Sequence, residues 1–222
     1  MLTALAVLTA AAAGAASIAL AFKNIKGLQP VGRRLIRELA AMEKTVRARY
    51  PELAPFTEEE VKLFSFNILE RQKPRRRSPF ETGLLGNIFQ EATVAYARKR
   101  YKSRSYRELI YARTDRHEFY YRESKRDGIE VAIDDKLIGF FDRRNKRLLK
   151  PSREEAYIES RPAAGELLTL FSSKGKELAS VYMRPEEGNP NPRVFAFVSP
   201  LTEKEHTLLL AFAIYYVLSQ QT

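Results

Sequence analysis

The chain has no cysteine, no tryptophan, two histidines and no Asn-x-Ser/Thr acceptor. Without cysteine there are no disulfides and no thiolate metal sites. Two histidines far apart in sequence remove a His/Cys-type metal cluster as well. His117 falls in a strand-like run and His206 in the first turn of a helix-like one, and each is expected at the surface or at a strand edge. The ten glycines are scattered, so no phosphate-cradling loop is present. The missing glycosylation acceptors fit a cytoplasmic location. Leu2–Phe22 lacks charge of either sign over 21 positions.

That uncharged stretch, as a helix, reaches roughly 31 Å, the thickness of a bilayer's hydrocarbon core. Behind it come Lys23, Lys26, Arg33, Arg34 and Arg37. Positive flanks stay on the cytoplasmic side, so the expectation is a single-pass membrane anchor with the following domain in the cytoplasm. The alternative is an exported protein whose signal peptide is cleaved. Against it, no Lys or Arg precedes the apolar core.

What remains is enough for one sizeable domain: 222 residues in all, 45% of them hydrophobic, with a formal net charge of +11. The charge is concentrated. Arg71 to Arg107 holds eleven basic residues and two acidic ones, Glu81 and Glu91. The candidate polyanion-binding residues are Arg71, Lys73, Arg75, Arg76 and Arg77 in one run. Arg98, Lys99, Arg100, Lys102 and Arg104 form the other, with Tyr96, Tyr101 and Tyr106 interleaved. Such a patch attracts anionic lipid headgroups or, without sequence preference, nucleic acid.

Gly32 to Tyr50 reads as an amphipathic helix, with Leu35, Leu39, Met42 and Val46 at three- and four-residue spacing. It either lies on the membrane surface or packs on the domain. Thr57-Glu-Glu-Glu60 is a capping box, whereas Val61–Leu69 fits helix and strand equally. From residue 88 onward short runs rich in Tyr, Phe, Val and Ile predict strands. They lie at 92–97, 108–113, 117–122, 129–133, 137–142, 156–159, 166–171, 178–183 and 193–198. Asp127-Gly128, Asp134-Asp135, Asn145, Lys174-Gly175 and Gly188-Asn-Pro190 punctuate them as hairpin turns. Asp134, Asp135 and Asp142 lack the spacing of a calcium loop and read as turn residues. Ser173-Lys-Gly-Lys176 reads as a hairpin tip and not as an acyl-enzyme motif.

The chain ends differently. Thr202-Glu-Lys-Glu205 is a second capping box, and Leu208–Leu218 is apolar at every position. At about 16 Å the run is too short to span a bilayer. A helix apolar on all sides must be surrounded on all sides. After so many strands, the expected solution is a helix inside a closed or strongly curved sheet. The fold class is therefore α+β: an antiparallel β-barrel-like domain enclosing an apolar C-terminal helix. Three segments follow: an anchor at 1–22, an amphipathic helical linker at 23–56, and the barrel-like domain at 57–222.

Two stretches resemble the phospholipid scramblase and tubby C-terminal superfamily. Ile133-Asp-Asp-Lys-Leu-Ile-Gly-Phe-Phe141 is similar to its hairpin with a polar turn before an apolar-Gly pair. Ser199-Pro-Leu-Thr-Glu-Lys-Glu-His-Thr-Leu-Leu-Leu210 is similar to the entry into its central helix. The resemblance covers residues 60–222 and implies a twelve-stranded barrel with, in some members, phosphoinositide or anionic-lipid binding through surface Lys and Arg. The chain departs from scramblases in having no cysteine cluster for acylation, no calcium loop, and its apolar segment at the opposite end. Lipid scrambling is accordingly left out of the expectation. The reading is a membrane-tethered, non-enzymatic protein that takes no cofactor or metal and binds anionic lipid headgroups. The alternatives are a nucleic-acid-binding module and an exported protein of unknown activity. Protein partners are not specified by any motif.

Overall fold

A computed structural model describes residues 33–74, 80–102, 106–124 and 128–221. The apolar segment 1–22, together with Arg75, Arg76, Arg77 and Arg104, lies outside the described residues.

Twelve strands follow one another: β1 (Phe64–Gln72), β2 (Glu81–Asn87), β3 (Ala92–Arg100), β4 (Tyr106–Arg113), β5 (Glu118–Ser124) and β6 (Gly128–Ile133). They continue as β7 (Lys136–Asp142), β8 (Arg147–Leu149), β9 (Ala156–Ala163), β10 (Leu167–Ser172), β11 (Glu177–Tyr182) and β12 (Phe195–Val198). Each pairs antiparallel with the next, in a single sheet ordered β1 to β12. Near β12 the sheet returns to β1. The Val194 N–H donates to Phe64 O at 2.8 Å and the Phe66 N–H to Pro192 O at 3.0 Å, around a Ser65–Arg193 bridge. The barrel is nearly closed, with a seam thinner than any of its ladders.

The expected C-terminal helix is α3 (Glu203–Gln220). Thr202 starts it: its Oγ1 accepts the Glu205 N–H, and the Glu205 carboxylate accepts the Thr202 N–H at 2.9 Å. All residues from Leu208 to Leu218 are buried, with Phe212 and Ile214 at 0% exposure and Tyr216 at 1%. The helix fills the barrel. Phe141 meets Phe212 and Tyr215 with ring centroids 5.3 and 4.7 Å apart, and Tyr121 meets Tyr215 at 5.3 Å. Each large apolar side chain removed from water here contributes about 1.5–3 kcal/mol. The sheet also meets the helix's polar needs, since the Tyr121 hydroxyl donates to Ala211 O at 2.8 Å. Burial pushes the Tyr121 phenol well above its ordinary range.

A second layer lies outside the barrel. The amphipathic helix is α1 (Arg33–Arg47), and its Leu39, Met42 and Val46 pack on Leu84, Ala95, Ala97, Leu109, Tyr111 and Tyr120. It is thus part of the domain and not a free linker. The small side chains of Ala95 and Ala97 let it lie close to β3. After it come a 3₁₀ turn (Tyr50–Glu52) and a one-turn helix α2 (Glu58–Val61) capped by Thr57. The undecided stretch 61–69 therefore splits between the end of α2 and the first half of β1.

Two strands, β2 and β8, lie outside the strand segments expected from sequence, and β1 falls mostly on the stretch left open between helix and strand. His206 also corrects an expectation. It is buried, 7% exposed, although Glu203 and Lys204 of the same first turn of α3 stay exposed. His117 is half-buried, with Nδ1 2.7 Å from Asp134 Oδ2.

Candidate functional site

In a meander of antiparallel strands, alternate connections gather at opposite ends. Here one end holds the β1–β2, β3–β4, β5–β6, β7–β8, β9–β10 and β11–β12 connections. The last turns of α3 lie there too, since the Tyr216 hydroxyl donates to Met183 O at 2.8 Å, just beyond β11. We call this end the mouth. The opposite end receives the start of α3, where Glu205 pairs with Lys176 of the β10–β11 turn at 2.8 Å.

The mouth is polar in a regular way. A helix leaves its last carbonyls without intrahelical donors and carries partial negative charge at its C-terminus. The last turn of α3 contains no basic residue of its own, so the sheet supplies the cations. Strand alternation places Arg98 and Arg100 on the same inner side as Tyr96. Arg98 Nη1 donates to Leu218 O at 3.0 Å and its Nε to Glu108 at 2.5 Å. Arg100 reaches the same carboxylate at 3.3 Å. Around the rim, Glu81 holds Arg71 at 2.9 Å, and Glu123 lies 3.0 Å from Arg143 and 3.6 Å from Arg107. Arg143 also donates to the Tyr215 hydroxyl at 2.6 Å.

Three inward carboxylates are thus bracketed by five arginines over the end of a helix. The hydrogen bond that Arg71 donates to Glu81 is the main reason Arg71 is held above its ordinary pKa. Burial pushes Tyr215 up to about 12, against the pull of Arg143. Beside Arg107 and Arg143 a groove of about 400 Å³ opens between the facing ends of β5 and β6 and the β7–β8 connection, floored by Ile129, Phe140 and Phe141.

The sequence-predicted cations divide among different tasks. Lys73 and Lys102 are exposed at the mouth and make no ion pair among the described residues. Arg71 and Arg100 are exposed on the rim but engaged with Glu81 and Glu108. Arg98 is a correction: at 2% exposure it belongs to the interior and offers nothing to an outside ligand. Lys99 faces the other way. It pairs with Glu38 of α1 at 2.6 Å and lies over the Phe80 and Tyr101 rings at 5.5 and 5.3 Å, so it docks the helix. Tyr96 likewise points inward, with its hydroxyl on Glu81.

Reading the sequence linearly missed Arg143, Arg144 and Lys146. They sit on the β7–β8 connection, some forty residues beyond the basic runs but at the same end of the barrel. Counting hairpins in a meander is the signal that finds them.

The acidic residues singled out in sequence serve turns. Asp142 accepts the N–H groups of Arg144 and Asn145, each at 3.1 Å, and Asp134 accepts that of Glu118 at 2.9 Å. Asp134 and Asp135 have φ of 45° and 65° in a tight hairpin. Gly175, with φ 76°, turns the 173–176 hairpin tip. Among the described residues no group of three or more His, Cys, Asp or Glu is placed to hold a metal. Among them also, no helix is long and apolar enough to cross a membrane. Comparison with family models, with curated proteins and with solved structures finds no match to this chain.

Proposed function

We propose that the chain is a membrane-tethered, non-enzymatic protein, anchored by residues 1–22 with its barrel in the cytoplasm, which binds anionic lipid headgroups at the mouth. The observation that carries this is the pair of exposed lysines, Lys73 and Lys102, which make no ion pair among the described residues, on neighbouring hairpins beside the partly engaged Arg71 and Arg100. In sequence the same two connections add Arg75, Arg76, Arg77 and Arg104. Each Lys or Arg near an anionic leaflet contributes about 1 kcal/mol. A twelve-stranded barrel round a C-terminal helix is also the layout that the scramblase and tubby resemblance implies, and we propose that kinship on the topology and the two quoted stretches.

Vesicle sedimentation of a chain beginning at residue 30 tests the lipid reading apart from the anchor. Anionic vesicles should pellet it and neutral ones should not. Lys73→Gln with Lys102→Gln should weaken binding to anionic vesicles by about thirtyfold, the equivalent of two lysine contributions. Equal pelleting with both vesicle types would remove the proposal. Nucleic acid that co-purifies and is displaced steeply by salt would put the same cations to a different use.

A further inference from the structure

The direction of α1 fixes which face of the barrel a membrane would meet. Glu38, near its start, accepts from Lys99 at 2.6 Å and from the Tyr101 hydroxyl at 2.5 Å, both at the mouth. Arg47, in its last turn, lies 4.0 Å from Glu118, where β5 begins at the opposite end. The helix therefore runs away from the mouth, with its first residue, Arg33, at the mouth end. Between Phe22 and Arg33 stand ten residues. Fully extended they reach at most about 35 Å, and α3, which runs from the opposite end to the mouth, is about 27 Å long. With the mouth toward the bilayer this linker has slack. Presenting the opposite end would stretch it along the whole wall.

Charge follows the same axis. At the mouth, the β7–β8 connection adds Arg143, Arg144 and Lys146 to the cations already described, and across the barrel from them are Lys73 and Lys102. At the opposite end carboxylates such as Glu59, Glu60, Asp134 and Glu203 outnumber the cations that stand among them, which include Lys62, Arg116, Lys174 and Lys204. The mouth, with Glu166, Glu186 and Glu187 counted, keeps an excess of cations that the opposite end lacks, so an anionic surface favours the mouth within a screening length of about 8 Å at physiological salt.

We infer that the barrel docks end-on, with the whole ring of mouth hairpins against the anionic leaflet, and not sideways through the wall that carries the two basic runs. This rests on the proposed lipid binding and goes beyond it. A sideways dock would use β1–β4 and the exposed Arg37 and Lys44 of α1. An end-on dock brings in the β7–β8 and β9–β10 connections, the latter six strands round from β3–β4, half the circumference of the twelve-stranded sheet.

The absence of cysteine makes the test clean, because one introduced thiol takes one fluorophore. Gln72→Cys, Ala164→Cys and Ser173→Cys place labels on exposed or half-exposed positions: the mouth beside Lys73, the mouth on the far wall, and the opposite end. The full-length chain is reconstituted in vesicles containing phosphatidylserine with a quencher carried on lipid headgroups. End-on docking predicts loss of emission at residues 72 and 164 and none at 173. Loss at 72 without loss at 164 overturns end-on docking and leaves headgroup binding intact. Loss at 173 overturns it as well. No loss at any of the three positions removes both the orientation and the lipid proposal beneath it.

Discussion

Arg98 is the residue whose role differs most from its appearance. In sequence it opens a run of three cations, and such runs are normally solvated. In the fold it is fully enclosed, with Glu108 and the Leu218 carbonyl as its partners. Alternation was a usable clue, since Val94 and Tyr96 are plainly core residues four and two positions earlier. What no local pattern shows is that a helix terminus needing a donor would be waiting there. Removing one partner of a buried pair costs about 3–5 kcal/mol, because the other charge stays buried. Arg98→Ala should accordingly lower stability by about that amount, tempered by Arg100 at 3.3 Å from the same carboxylate. Arg98→Met combined with Glu108→Leu should recover most of it. Urea melts of the two variants decide the matter. An Arg98→Ala chain as stable as the parent would show that the pair does not hold the end of α3.

Among the elements, β2 shows why some strands were illegible and α3 why it was not. The β2 sequence carries Gly83 and Gly86, which read as strand breakers. A Cβ at Gly83 would collide with the Glu70 carbonyl and the Tyr96 ring, and one at Gly86 with the Leu69 side chain, so each glycine makes room for a neighbour. Strand β8, at three residues, is too short to show a period. The α3 run needs no period, since its apolarity on every side already requires enclosure.

Helix α1 was legible as a helix but not in its attachment, because the charges that bind it to β3 and β5 come from distant sequence. Its Glu43 is buried beside Arg47, Arg113, Glu118 and Asp135, and burial raises its carboxyl above the ordinary value of 4.5, with Glu118 and Asp135 adding to the rise. A folded-state pKa above the unfolded one means that the unfolded chain releases this proton first as pH rises. Glu43 therefore costs nothing near pH 4 and increasingly destabilises the folded state as pH rises through its folded pKa. Glu43→Gln should leave stability unchanged near pH 4 and raise it at pH 7. Its lost ion pair is small, since Arg47 is about half exposed. Thermal melts at the two pH values check this, and a variant less stable at pH 7 would contradict it.

The whole molecule depends on an order of assembly that its topology imposes. Every strand pairs with its sequence neighbour, so the sheet can grow by local hairpins from either end. Closure is different in kind. The seam joins Phe64 and Phe66 to Pro192 and Val194, more than 120 residues along the chain, and among the described residues it rests on two backbone bonds, the Ser65 hydroxyl on Pro192 O and the Asn67 amide on Pro190 O and Asn191 Oδ1. So few bonds cannot offset the loop entropy that a contact of such length must overcome. The apolar lining that faces α3 supplies the difference, and it exists as a core only when α3 is in place. A chain ending at Val198 keeps all twelve strands yet loses the packing of Phe66, Tyr121, Phe141 and their neighbours on the helix. It should expose those side chains, bind a hydrophobic dye and fail to melt cooperatively. The mouth pairs should fail with it, because Arg98 and Arg143 lose Leu218 and Tyr215. Supplying residues 199–222 as a peptide should restore a cooperative transition if the helix is the closing element. A truncated chain that melts as sharply as the parent would mean instead that the strands close by themselves and that the helix merely occupies a finished barrel.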